Sequence, residues 1–508
     1  VNFSKIIFSI FLWIAAEAVL YSQNHCPASS FLPLDHFAYT YIQLLQERHI
    51  ITGLNVSVKP YKRIDIARTL LQIDTEKISR SEAYWTEQLK KELAFEMNML
   101  ADTTAADPFA AASLKTTERM DFSNNHFEND YALYPEIRLN GPRFSISVRG
   151  RIDNGLLHDT AYSGRKTDYF GARIEDAYGL FSSRYVDFSI GRFAEEWSPV
   201  TGRSLILSDN AQTYDKICLD LRGRHITFRS AFARLDEISG ANRFFSAHRI
   251  DLTFSNNMQI GLSETVLFGG VNQGVELSYL NPFTFYAETQ LNQKKEANEL
   301  LAFDFYIPVK QYNFRGQILI DDFILDGAGS PPPNRKTSPD RLGFLFNAGG
   351  YDLFLNHSTL NLTYERVGSY TYNVKTKRPW QAYTFENKGL GAATNDYDRW
   401  TLELKYFPRP GMIHILDASL DRKGRRSLSS NDFEDPTFVK LPFPSGTVHK
   451  TITAGYTLIW TPLSYSEIRA AAYYTRHSNF NHISGNNKDY LNASLRLHYY
   501  IDHYVNPI

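Results

Sequence analysis

The sequence predicts a mainly β protein: a transmembrane antiparallel β-barrel of about 18 strands with a small N-terminal α-helical bundle on the periplasmic side. Three observations carry this. First, hydropathy alternates with a period of two. Between Arg143 and Asp153, Phe144, Ile146, Val148 and Ile152 oppose Arg143, Ser145, Ser147, Arg149, Arg151 and Asp153. The code returns near the C-terminus, where Leu491, Ala493, Leu495, Leu497 and Tyr499 oppose Asn492, Ser494, Arg496, His498 and Tyr500. Second, short turns and long polar connections alternate along the chain, as in barrels whose two ends face different compartments. Third, aromatics make up 14% of the 508 residues, led by 35 Phe and 31 Tyr, which suits a barrel with aromatic girdles. Alternation alone also allows a soluble sandwich with one solvated face; the loop rhythm and strand count favour the membrane wall.

Bulk properties narrow the function. Net charge is -1 and pI near 7.0, so no bulk field draws the chain to nucleic acid. Mean hydropathy is -0.35 and no internal run of about 18 apolar residues occurs, so a helical membrane protein is excluded. Two cysteines, Cys26 and Cys218, are too few for a disulfide scaffold or a thiolate metal site.

Residues 1–23 are expected to be a secretory signal peptide. Lys5 supplies the positive region, Ile6 to Leu20 is apolar apart from Ser9 and Glu17, and cleavage is placed near Gln23. Cys26 follows, but Gln23-Asn24-His25 is not a small-residue lipobox, which disfavours a lipoprotein. Residues 24–110 read as a helical segment or plug. Asp35 is placed as the cap of a helix running to His49, and Ile64 to Ile73 forms a second helix. Ser79-Arg80-Ser81-Glu82 is a capping box for a third, with Trp85, Leu89, Leu93 and Leu100 on one face. So short a stretch buries too little apolar area alone, so the helices are expected to pack against something larger.

Residues 111–508 read as the barrel. Turn signals are Asn140-Gly141, Ser182-Ser183, Gly223, Asn256-Asn257, Gly349-Gly350, Pro408 to Gly411 and Pro462. A strand near 114–123, with Asn124 to Asp130 as its loop, makes the count even. Lipid-facing sets include Leu360, Leu362 and Tyr364, and Trp400, Leu402, Leu404 and Tyr406. The opposite faces place Arg149, Arg151, Arg249, Asp251, Arg315, Asp321, Glu403 and Arg496 in the lumen. Mixed charges there predict a wet or plugged interior laced with ion pairs.

No nucleophile elbow, zinc signature or phosphate loop is present, and the histidines, among them His449, His477 and His482, read as scattered over strands and loops. The expectation is a non-enzyme with no cofactor and no metal. Binding is expected in the long loops. Trp197 beside Glu195 and Glu196, and Trp380 with Arg378 and Tyr383, are the candidates for stacking on a sugar face; an interfacial belt is the alternative for both tryptophans.

Several stretches resemble the capsule assembly proteins of the Wzi type, outer-membrane lectins of Gram-negative bacteria. They are Tyr41-Ile42-Gln43-Leu44-Leu45 through Gly53, Lys59-Pro60-Tyr61-Lys62-Arg63 to Leu70-Leu71, Gly191-Arg192, and Ser204 to Ala211. Phe245-Ser246-Ala247-His248-Arg249, Gly261-Leu262-Ser263-Glu264 and Gln317 to Phe323 complete the set. The resemblance implies an 18-stranded barrel, closed at its lower end by periplasmic helices, that holds capsular or other exopolysaccharide at the cell surface. The implied partners are that polysaccharide, outer-membrane lipid and the barrel assembly machinery. The loops diverge from the family, so contact residues do not transfer. A porin-like channel for small or saccharide solutes is the alternative reading.

Overall fold

A computed structural model describes residues 28–101, 109–123, 126–159, 162, 164–293, 297–322, 341–374, 377–430 and 442–505. The expected signal peptide and Cys26 lie outside the described residues.

Eighteen antiparallel strands close into one barrel. In chain order they are β1 Phe109–Ser123, β2 His126–Asn140, β3 Phe144–Asp153, β4 Gly171–Ser182, β5 Val186–Arg192 and β6 Asp215–Arg222. Next come β7 Ile226–Arg234, β8 Asn242–Thr253, β9 Gln259–Gly270, β10 Asn298–Val309, β11 Tyr312–Asp322 and β12 Arg341–Tyr351. The last are β13 Ser358–Val367, β14 Tyr397–Arg409, β15 Met412–Lys423, β16 His449–Leu463, β17 Ser466–Ser478 and β18 Lys488–Val505. The seam runs between first and last strand, from Ala110 opposite Val505 to Ser123 opposite Asn492. No described helix is long and apolar enough to cross a membrane; the strands make the crossing.

Alternation determines which face is which. Phe144, Ile146, Val148 and Ile152 are exposed on the outside, while Ser145, Ser147 and Arg149 are buried inside. The same holds for Trp400 and Leu402, Leu416 and Leu420, and Ile452 and Tyr456, all exposed outward. This outer apolar band has no protein partner, and lipid is the solvent that suits it. Several bulges interrupt the pattern, one of them between β3 and β4. Arg149 pairs with Asp176 and Gly150 with Ile174, so Glu175 is the extra residue on β4. The bulge turns both Glu175 and Asp176 toward the interior.

Three sequence expectations shift. Residues 126–130 are not a loop, because β2 begins at His126 and extends the β1 ladder; residues 124–125 lie outside the described residues. Gly349 and Gly350 stay within β12. The turn falls instead at Asp352, whose φ of 53° is supported by its carboxylate accepting the Ser358 N–H at 3.1 Å. Pro462 likewise stays within β16, and the chain reverses between Leu463 and Ser466.

The N-terminal helices are α1 Ala38–Glu47, α2 Arg63–Leu70, α3 Arg80–Glu92 and α4 Ala94–Ala101. The Ser79 capping box is formed: Ser79 accepts from the Glu82 N–H and Glu82 accepts from the Ser79 N–H. Asp35 does not cap α1, whose N-cap position is Phe37 without a side-chain bond. Its carboxylate instead ties the segment to the wall, 2.7 Å from Lys115 and 2.6 Å from Arg149.

The helices fill the short-turn end of the barrel. Phe37, Tyr41, Trp85 and Leu89 form one buried cluster with Phe407, Ile413 and Ile459 of the wall. The Trp85 and Phe407 rings meet at 4.8 Å. Polar contacts fix the docking: Tyr41 to Thr461 at 2.9 Å, and Arg469 donating to Thr40 at 3.3 Å. Arg48 has the largest set. It pairs with Glu82, donates two bonds to Asp352 at 3.1 and 2.8 Å, and lies over the rings of Tyr351 and Phe407.

Removing one side of a buried ion pair strands the other, at about 3–5 kcal/mol. Arg48→Ala is therefore expected to undock the helices, read as loss of amide hydrogen-exchange protection across 38–101 while the barrel strands stay protected.

Docking should also depend on pH. Burial, then Arg63, push the His36 imidazole down to about 3. Burial raises the Asp35 carboxyl, but Arg149 and Lys115 more than offset this and hold it well below its usual value. Both groups have depressed folded-state values, so each stabilises the docked state above its unfolded pKa and loses this as pH falls. For His36 the window runs from about 6.5 downward. By pH 5 the loss should reach about 2 kcal/mol, and His36→Asn should flatten the decline in protection between pH 7 and pH 5.

Candidate functional site

An 18-stranded wall leaves a lumen too wide for side chains to fill, and this chain fills it unevenly. Two long connections, 193–214 and 368–396, turn inward. Gly191 permits the first turn: its φ is +127°, and a Cβ there would sit 2.1 Å from the Ala177 carbonyl oxygen. Beyond it, Glu196–Trp197 pairs with Val58–Lys59 as a two-residue ladder. The loop from one end thus meets the helical segment from the other. Lys59 seals the junction, 2.7 Å from Glu196 and donating to the Ser198 carbonyl at 3.0 Å. Glu195 is held by Lys216 at 2.7 Å and Arg229 at 3.0 Å. Burial raises its carboxyl, but these two cations reverse the effect and leave it lowered.

The two loops then pack on each other and on the wall strands β4 to β13. Trp197, Leu205, Ile206, Leu207, Tyr372, Tyr383 and Leu390 join Leu267, Leu300, Leu319 and Leu345 in one buried cluster. Gln317 of β11 clamps the loop, accepting from the Leu205 N–H at 2.6 Å and donating to the Trp197 carbonyl at 2.6 Å. Tyr383 donates to the Ile206 carbonyl at 2.7 Å and stacks on Tyr372 with centroids 5.6 Å apart. Asp321 accepts from the Tyr372 N–H at 2.5 Å. The stretch Ser204 to Ala211 is therefore lumen filling, not barrel wall.

This placement corrects the expected sugar contacts. Trp197 and Tyr383 are buried, with both ring faces against protein, so neither offers a platform to a ligand. Trp380 and Arg378 are half-buried on the short 3₁₀ turn Pro379–Gln381. That turn is pinned to the wall, since Arg243 donates to the Trp380 carbonyl at 2.9 Å. The four residues do not form one exposed surface.

The inward-facing charges divide into two groups. On the filled side they are saturated: Arg249 is buried, 2.8 Å from Asp304 and bonded to Asp251. Arg315 reaches Asn347 at 3.3 Å and Glu47 at 3.7 Å. Arg149 spans Asp35 and Asp176, and Arg151 pairs with Asp153 and Glu175. A cavity of about 460 Å³ near the short-turn end is lined by similar matched charges, among them Lys62, Asp187 and Arg229.

The other side, β14 to β18 with β1 and β2, stays wet. Its inward side chains include Thr401, Glu403, Asp417 and Ser419, then Thr453, Thr457, Tyr473 and Thr475, then Ser494, Arg496, Thr117, Arg119 and Asp121, and all of these are partly or fully exposed. Glu403 pairs with Lys405 at 3.0 Å and retains 32% exposure. The floor is the docked helices, through Thr40 and Tyr41. At the opposite end residues 479–487 join β17 to β18, and residues 424–448 join β15 to β16. The result is a polar well, closed below and lined by hydroxyls, carboxylates and guanidinium groups.

Tyr473 gives the well an aromatic surface. A Cβ at Gly455 would lie 2.3 Å from the Tyr473 ring, so the ring lies against the wall where only glycine leaves room. Its hydroxyl is held by Thr457 at 2.8 Å. A ring laid against the wall presents its other face to the lumen. Sequence reasoning missed this residue. The parity of Arg469, Ala471, Tyr473 and Thr475 on β17 marked it as inward, but nothing in the sequence pairs it with Gly455.

The histidines also differ from expectation. His449 and His477 are in hydrogen-bond contact at 2.9 Å, and the His482 ring lies 5.9 Å from that of His449. Pairing of β16 with β17 and the short turn after β17 bring them together. Among the described residues, no group of three or more His, Cys, Asp or Glu side chains is arranged to hold a metal ion.

Comparison with known proteins gives a consistent picture. The family model for capsule assembly protein Wzi matches residues 117–378. The fold is similar to that of Wzi of Escherichia coli, an outer membrane protein involved in group 1 capsule assembly and a carbohydrate-binding β-barrel. The TM-score is 0.63 at 16% identity, covering 92% of this chain and 99% of that one. OpdK of Pseudomonas aeruginosa gives a TM-score of 0.46 at 10% identity, covering 78% of this chain and 99% of that one. No curated protein sequence matches the chain.

If Trp197 is a core residue of the lumen filling, Trp197→Ala should cost about 3–5 kcal/mol. The expected outcome is a lower urea midpoint for unfolding in lipid bilayers. An unchanged midpoint would show that the ring contributes no packing.

Proposed function

The chain belongs to the capsule assembly protein Wzi family, and from that premise we propose that it is a non-catalytic outer-membrane barrel that binds capsular or other exopolysaccharide and anchors it at the cell surface. The observation that carries this reading is the half-filled lumen. A well closed at one end and lined by Thr453, Thr457, Thr475, Ser494 and Asn492 offers hydroxyl and amide partners to a polyhydroxylated chain. Tyr473 offers the aromatic face that a pyranose ring stacks on.

In this reading the helices face the periplasm and the long loops face outward. Lipid surrounds the apolar band, and the barrel assembly machinery inserts the chain. Each contact in the well is weak, and a polysaccharide with many repeats gains affinity by engaging several barrels at once. The junction of Lys59 with Glu196 in the lumen supports binding over conduction, because helices and loop meet there and obstruct a pore.

Two measurements test the proposal. Binding of purified bacterial exopolysaccharides to the bilayer-embedded protein should be detectable, and Tyr473→Ala should weaken it by up to about tenfold. Absence of binding to every polysaccharide tried, together with large steady single-channel currents in planar bilayers, would replace the reading with that of a channel.

A further inference from the structure

Three arginines stand side by side in the wet half of the lumen. Arg119 of β1 lies directly opposite Arg496 of β18, and Arg496 lies directly opposite Arg469 of β17. Residues so paired on one face are about 5 Å apart at Cβ, and like charges there repel. A row of this kind persists only where the charge is offset. Arg119 is offset by Asp121, with Asp130 opposite it on β2. Arg469 is 2.5 Å from Glu467 and reaches Thr40.

Arg496 differs from both. Among the described residues its guanidinium has no hydrogen bond and no ion pair, and the residue is exposed to the well. Along β18 its inward neighbours are hydrogen-bonding groups, Ser494 on one side and, on the other, His498, which meets Thr117 at 3.0 Å; Asp121 of β1 also acts on it, but that carboxylate is already bonded to Arg119. A guanidinium placed between two others, in reach of solvent and without a partner, is a receptor for an anion of planar, bidentate geometry.

Tyr473 lies on the same wall, four residues along β17 from Arg469, a separation of about 14 Å. That is the span of a short oligosaccharide rather than of a single ring. An isolated small anion would use the arginines alone. A glycan chain lying along the wall would use both.

We propose that the well is selective for carboxylated polysaccharide: Arg496, flanked by Arg119 and Arg469, receives the carboxylate of a uronic-acid-type residue while a sugar ring further along the same chain stacks on Tyr473. This deepens the polysaccharide-binding reading and rests on it. No bond is made or broken. The contribution of the row is charge-assisted hydrogen bonding, and it weakens as salt rises.

The test compares oligogalacturonate with the same oligomers after methyl esterification, which removes the charge and leaves the sugar backbone. Binding is measured on the full-length protein in nanodiscs. The acid form should bind at least about tenfold more tightly than the ester, and the gap should shrink as salt increases. Arg496→Gln should remove the gap by weakening acid binding to the level of the ester, and an unchanged heat-dependent gel shift should report that the barrel is folded. Arg496→Lys should restore part of it. Arg234→Gln, at an exposed pair with Glu237 on the strand β7 rim, should leave the gap intact. Equal binding of acid and ester by the unaltered protein overturns the carboxylate assignment and leaves the polysaccharide reading standing. A gap that persists in Arg496→Gln overturns the role of the arginine row. Failure of both oligomers to bind counts against this inference, and if the wider polysaccharide panel also fails, against the proposed function.

Discussion

The seam between β1 and β18 is the constraint on which the rest of the molecule depends. In hydrocarbon an unpaired backbone N–H or C=O has no water to turn to, so a sheet can cross only if its last strand pairs with its first. Here the ladder runs without a register break from Ala110 and Val505 to Ser123 and Asn492. Antiparallel closure with an even strand number puts both chain ends at the same end of the barrel. The helical segment enters at that end too, so it is positioned to close it. Its apolar face, Phe37, Tyr41, Trp85 and Leu89, is covered there by Phe407, Ile413 and Ile459 of the wall.

Closure also creates the problem that shapes the interior. A wall of this many strands encloses more space than its own side chains occupy. The chain fills one side with two inward loops and leaves the other to water. The filled side behaves like an ordinary protein core: apolar clusters, Gln317 satisfying two loop backbone groups, and buried arginines paired with carboxylates. Partnerless buried charge would be costly there. The wet side does not face that penalty, and so it can hold an exposed Arg496 between two other arginines. The difference between the two sides separates structural polar groups from available ones.

Much of the wall was legible from the sequence. Period-two alternation predicts which side chains face lipid, because a strand has only two faces and a bilayer accepts only one of the two sets. The Ser79 capping box was legible for a similar reason, since its two hydrogen bonds join residues three apart. Turn positions were less so. Gly349-Gly350 reads as a turn by residue type, yet the ladder with β13 continues through it and Asp352 makes the reversal. Asp35 reads as a helix cap, but Lys115 and Arg149 compete for its carboxylate more strongly than the helix does. The binding residues were the least legible. An aromatic in a long polar loop reads as exposed, and Trp197 and Tyr383 are buried because their loops fold into the lumen.

By itself, then, the sequence determined the membrane barrel, its approximate strand number and the helical segment. All of these follow from local periodicity or from contacts between near neighbours in the chain. Only the tertiary structure decided which loops fill the lumen, that Gly455 makes room for the Tyr473 ring, and that Arg119, Arg496 and Arg469 stand in one row. Those facts depend on strand register and on loops meeting across the barrel. Arg119 and Arg496 are hundreds of residues apart in sequence, and no local pattern carries the register that closes the sheet and brings them together.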